Sequence, residues 1–135
     1  MIIDITIPGK PIAKKRPRFF VRGKHVGAYN PQVTEEGKFI LQVQETITKH
    51  IPEPTDKPVK LKMLFCFIYP ESWSWKKRLG TPDHESKPDL DNLLKFVMDC
   101  LNGVLYRDDK QVMSLQVDKV YYPRNETNIQ AEIKE

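Results

Sequence analysis

The chain has 135 residues, 39% hydrophobic and 30% charged, with a net charge of +4, which bounds it to one domain with one modest core. No apolar run approaches the ~20 residues of a membrane span. The start Met1-Ile2-Ile3-Asp4 lacks the basic and apolar regions of a secretory leader, and Cys66 and Cys100 have no CxxC partner. The expectation is a cytoplasmic protein with two reduced, buried thiols.

Residues 2–7 alternate Ile3, Ile5, Ile7 with Asp4 and Thr6, a short strand closed by Pro8-Gly9. Residues 1–30 carry Lys10, Lys14, Lys15, Arg16, Arg18, Arg22 and Lys24 against Asp4 alone, a bias that suits a polyanion. Within them, Arg18–Arg22 and His25–Tyr29 are expected to form a hairpin across Gly23-Lys24. Thr34 reads as the N-cap of a helix with Glu35 and Glu36 in its first turn. Phe39, Ile40, Val43, Ile47 and Ile51 recur at helical spacing, Lys49 and His50 suit the last turn, and Pro52 ends the helix.

From Val59, the odd positions Leu61, Met63, Phe65, Phe67 and Tyr69 predict a long strand buried on one face. Residues 70–88 form a long polar loop with Trp73, Trp75, Lys76, Lys77 and Arg78, of a length that is often functional. A second helix is expected over 91–101, with Asp91 or Asn92 as N-cap. Leu93, Leu94, Val97, Met98 and Leu101 face the core, and Asn102-Gly103 closes it. Strands follow over 112–122 and 127–133, with Pro123-Arg124-Asn125 as a hairpin turn. The order predicts a small α+β domain over residues 1–135, with two helices on a mixed β-sheet.

The chemistry concentrates around the second helix. Lys87-Pro88-Asp89-Leu90-Asp91-Asn92-Leu93-Leu94-Lys95 precedes Arg107-Asp108-Asp109-Lys110 by a short helical stretch. Carboxylates brought together without a partner repel each other. A hard cation such as Mg²⁺, which takes oxygen ligands, resolves the conflict, and such a cluster beside a lysine suits attack on a phosphodiester. The plain structural alternative is a cap at Asp91, an Asp91–Lys95 ion pair and a solvated Asp108-Asp109 turn. An Asp-x-Asp of the phosphoaspartate type would end an apolar strand, but Lys87-Pro88 stands before this one. A Gly-rich phosphate loop is missing, and His25, His50 and His84 do not have zinc-ligand spacing. No organic cofactor is expected.

Residues 88–112 resemble the core motif of the RusA-type Holliday-junction resolvases. The motif joins Asp-x-Asp-Asn, a Lys four residues after the second Asp, a short helix, and Asp-Asp-x-Gln-Val. The resemblance implies Asp89, Asp91 and Asp109 as metal-binding acids with Asp108 as their neighbour, and Lys95 as the catalytic lysine. It further implies an intertwined homodimer that uses Mg²⁺, with Mn²⁺ as substitute, to cut four-way DNA junctions by paired symmetric nicks. Asn92 is the candidate to orient a ligand. Two other functions remain open: a nuclease for flaps or forks, and a non-catalytic nucleic-acid-binding module.

For DNA contact the candidates are Lys14, Lys15, Arg16 and Arg18, four cations in five residues, with Phe19, Phe20 or Tyr29 stacking on a base. Lys76, Lys77 and Arg78 beside Trp73 and Trp75 form a second candidate, against the alternative that the tryptophans pack in the core or at a dimer interface.

Overall fold

The computed structural model describes residues 1–80 and 82–135; Thr81, within the expected 70–88 loop, lies outside the described residues. The elements are β1 (Ile2–Pro8), β2 (Arg18–Arg22), β3 (His25–Tyr29), α1 (Val33–Ile47), β4 (Val59–Ile68), α2 (Leu90–Leu101), a 3-10 turn (Asp109–Gln111), β5 (Val112–Tyr122) and β6 (Glu126–Ile133). β1, β6, β4 and β5 form a four-stranded sheet in that order, and β2 and β3 form a separate hairpin. β4 pairs antiparallel with β6 and parallel with β5, so the sheet is mixed, as the sequence predicts.

The parallel pair needs a crossover connection, and the segment carrying α2 supplies it. β4 takes the centre because it is the most apolar strand: Val59, Leu61, Met63, Phe65 and Phe67 are buried, and Cys66 is buried between the last two. α1 packs Phe39, Val43 and Ile47 into the core, and α2 packs Leu93, Phe96, Val97, Cys100 and Leu101. Phe39 meets Phe96 edge-to-face at 5.4 Å, which joins the two helices. Burial raises both thiols, Cys66 to about 11 and Cys100 to about 12, so both stay protonated and free at neutral pH.

Several local expectations change. Gln32, not Thr34, is the N-cap of α1, and its side chain does not cap the helix. Instead Gln32 Nε2 donates to the Ala13 carbonyl at 2.7 Å, and its Oε1 accepts from the Lys15 amide at 2.7 Å. The helix ends at Ile47, leaving Lys49 and His50 beyond it. Asp89, not Asp91 or Asn92, is the N-cap of α2. Phe96 and Cys100 join its buried face, while Leu94 and Met98 are only partly covered.

Pro123-Arg124-Asn125 is not a hairpin turn. It carries the chain from β5 past the end of β4 to β6, because β4 lies between them. Asn125 seals that crossing: its Oδ1 accepts from the Ile68 amide at 2.8 Å, and its carbonyl accepts from the Gly9 amide at 3.1 Å.

Candidate active site

The site is built at the N-terminus of α2. Asp89 is in extended conformation as the N-cap, and the ladder starts with Leu93 N–H donating to the Asp89 carbonyl at 3.2 Å. Its carboxylate is exposed and does not cap the helix. Asp91 is in the first turn, where the positive end of the helix dipole favours anionic groups. Among the described residues its Oδ1 accepts only from the adjacent Asn92 amide, at 2.9 Å. Lys95 lies one turn further along the same exposed face. Among the described residues, Asp89, Asp91 and Lys95 form no ion pair, so the simple Asp91–Lys95 surface bridge is not made.

An open hollow of about 480 Å³ borders Asp89, lined by Lys10, Lys87, Pro88, Asp89 and Asn92. Lys10 and Lys87 were not among the site residues expected from sequence. Lys10 comes from the loop after β1, and its approach to Asp89 across some 80 residues has no sequence signal.

Asp108 and Asp109 are held differently. Asp108 Oδ1 accepts from the Lys110 amide at 3.0 Å and caps the 3-10 turn. Gln111 organises that turn: its Oε1 accepts from the Arg107 and Asp108 amides at 3.0 and 2.9 Å. Its Nε2 donates to the Thr55 and Lys57 carbonyls at 2.8 and 3.0 Å. Asp109 is left exposed beside Tyr106. Burial first, and then the Asp109 charge, pushes the Tyr106 hydroxyl well above the usual phenol range. That hydroxyl donates to the Met98 carbonyl at 3.1 Å. Asp109 thus stands beside the last third of α2, while Asp89 and Asp91 stand at its first turn. A helix of this length spans roughly 18 Å. Among the described residues no three acidic, His or Cys groups come close enough to hold a metal ion, so Asp89, Asp91 and Asp109 do not fit a cation together within one chain.

The expected DNA-contact residues fall into two groups. Lys14 is taken up internally: its Nζ bonds Glu36 at 2.9 Å and Asp99 at 3.1 Å, and its amide donates to the Asn92 carbonyl at 2.9 Å. The Glu36 bond raises the Lys14 ammonium above its usual value against the cost of burial, with Asp99 adding. Burial works to raise Glu36, but Lys14 and Asn30 hold it below the ordinary value. Lys15 reaches Glu35 at 3.8 Å, and Arg16 and Arg18 are exposed.

In the aromatic loop, Trp73 packs on Tyr121 (4.5 Å) with Lys77 over its ring. Arg78 folds back to the Glu71 carbonyl at 3.1 Å. Trp75 is exposed with Lys76 over its ring. The tryptophans therefore divide between packing and surface.

No helix is long and apolar enough to cross a membrane among the described residues. Residues 8–132 match the family described as Endodeoxyribonuclease RusA. Over 127 residues the chain is 34% identical to "Uncharacterized protein YqaN" of Bacillus subtilis (strain 168), covering 88% of this chain and 87% of that one. Over 77 residues it is 32% identical to "Crossover junction endodeoxyribonuclease rusA" of Lactococcus phage r1t, covering 54% and 53%. With the family match running through nearly the whole domain and through every residue of the α2 site, the chain belongs to the RusA family of endodeoxyribonucleases.

Proposed function

We propose that this protein is a homodimeric, Mg²⁺-dependent endonuclease that resolves Holliday junctions by paired symmetric cleavage. The observation that carries the reading is the Asp89–Asp91–Lys95 face at the start of α2, without an ion pair among the described residues and beside a hollow flanked by Lys10 and Lys87. Two free carboxylates beside DNA would repel its backbone, and a cation removes that penalty. Mn²⁺ substitutes for Mg²⁺ in this reading.

Lys10 and Lys87 hold the phosphate by charge, and Lys95 stabilises the negative charge that develops on it during attack. Asp109 does not converge with Asp89 and Asp91 in one chain, so it completes the acid set only from a second copy. A two-fold dimer also matches the need for two nicks at a fixed spacing. Arg16, Arg18, Lys15 and Lys76 bind the flanking backbone, and Phe19 and Trp75 stack on exposed bases. Lys14 and Arg78 shape these surfaces through their internal bonds, and exposed Lys77 lies over the Trp73 ring.

The test is cleavage of a labelled four-way junction with and without Mg²⁺, beside linear duplex, flap and fork controls. Paired nicks in the junction alone are expected, with Asp91→Asn at least about a hundredfold slower. Undiminished Mg²⁺-dependent cutting by Asp91→Asn removes this assignment, and preferential cutting of flaps or forks moves the substrate to other branched DNA.

A further inference from the structure

Lys119 lies in β5 opposite Phe65, a core-facing residue of β4, so its side chain starts on the helix-covered face of the sheet. Its neighbours on that face are Val117 and Tyr121, both packed against the core. A cation there is costly unless it is satisfied. Among the described residues Lys119 has no carboxylate partner. Its Nζ instead donates to two carbonyls, Ser86 at 2.6 Å and Pro88 at 2.8 Å. These two carbonyls bracket Lys87, and the second belongs to the residue directly before Asp89.

The chain just upstream is laced to the same strand. Tyr121 N–H donates to the Pro82 carbonyl at 2.8 Å, and His84 N–H donates to the Lys119 carbonyl at 3.1 Å. Asp83 bridges Val120 antiparallel. His84 stacks on Phe67 at 4.2 Å and packs tilted against Tyr121 at 4.6 Å. The backbone ladder therefore holds residues 82–84 to the sheet edge, and from there the lysine ammonium draws in residues 86–88. An apolar residue would satisfy the strand at position 119. It would leave the entry into α2 held by the ladder alone.

We propose that Lys119 is a positioning residue for the cleavage site, aiming Asp89 and Lys87 through the Ser86 and Pro88 carbonyls. This rests on the reading of the α2 N-terminus as the active site. Groups that act through the residues holding a metal commonly change its affinity by about ten- to a hundredfold.

The experiment compares wild type, Lys119→Met and Lys119→Arg. It reads single-turnover junction cleavage against Mg²⁺ concentration, junction affinity in EDTA, melting temperature, and hydrogen exchange of the peptide spanning residues 83–93. In Lys119→Met, half-saturating Mg²⁺ is expected to rise about tenfold and exchange to quicken in that peptide alone, while junction affinity in EDTA falls far less than the Mg²⁺ response. Lys119→Arg, which keeps charge and donors, is expected to recover most of the Mg²⁺ response. A Lys119→Met enzyme with the wild-type Mg²⁺ response overturns the proposal, as does a uniform rate loss that tracks melting temperature and that Lys119→Arg does not rescue. Should Lys119→Met fail to fold, Lys119→Gln, which keeps a donor without charge, carries the same comparison. A wild-type chain inactive on every branched substrate overturns the reading of the site, and the exchange data then decide the positioning claim by themselves.

Discussion

Gln111 shows how a single side chain can give a motif its shape. The Asp-Asp-x-Gln sequence reads as chemistry, but its glutamine is structural: four hydrogen bonds from one amide fix the turn that presents Asp109. Gln111→Ala is expected to lower stability by about 2 kcal/mol, since it strands donors and acceptors in the turn. Urea unfolding with an unchanged m-value would verify the effect. Lys14 carries a similar lesson. It stands in the densest run of cations, but its ammonium ties α1 to α2 through Glu36 and Asp99. Lys14→Met should therefore lower the melting temperature. Arg16→Gln/Arg18→Gln should leave it unchanged and flatten the salt dependence of junction binding by about two phosphate contacts.

At the scale of elements, the β2–β3 hairpin has two unlike faces. Phe19 pairs with Ala28 and Val21 with Val26 on one side, and Arg18, Phe20, Arg22, His25 and Tyr29 line the other. Phe19, Val21 and Val26 are 78%, 69% and 65% exposed, so the hairpin does not rest on the core. Its own packing then matters. The Phe20 ring lies over Gly27, and a Cβ at position 27 would overlap it. Gly27→Val is expected to unpair the hairpin and weaken junction binding while the main melting transition stays in place, as circular dichroism and binding titrations would reveal.

The segment leading to α2 has a titrating partner. Burial, then the charges of Lys119 and Lys10, hold His84 below its ordinary value of 6.5, against backbone hydrogen bonds at His84 and Ser86 that work to raise it. The unfolded chain therefore takes up this proton at higher pH than the folded one. The associated stability is complete above pH 6.5 and declines as pH falls from there toward the folded value. His84→Phe, which keeps an aromatic ring against Phe67 and Tyr121, should flatten the melting-temperature profile between pH 7 and 5.

Across the whole molecule, one chain provides the start of a site at one end of α2 and Asp109 toward the other. In the proposed two-fold dimer, a site shared between the two copies has a direct, testable consequence. Asp91→Asn and Asp109→Asn are each expected to be inactive alone. Mixed and allowed to exchange subunits, they form some dimers in which one shared site has both its own Asp91 and the other copy's Asp109 intact. Those dimers nick one strand of a junction. If each chain carried its whole site, the mixture would remain inactive. Sedimentation at micromolar protein should accompany the assay, with a dimer expected.

The amino-acid sequence by itself determined the elements, because period-2 and period-3.6 apolar patterns and Pro/Gly punctuation are local signals: every expected strand and helix is present. It also determined the family, since the Asp-x-Asp-Asn, Lys and Asp-Asp-x-Gln-Val residues lie within one short stretch of chain. The helix N-caps moved two or three residues toward the N-terminus, and at Gln32 long-range bonds to Ala13 and Lys15 recruit the side chain. Only the tertiary structure decided that β4 separates β5 from β6 and that Lys14 faces inward. It alone brought Lys10 and Lys119 to the approach of α2, and it held Asp109 apart from Asp89. The physical reason is common to all of these. They depend on which faces meet across the core and along the sheet, and no pattern confined to neighbouring residues records that.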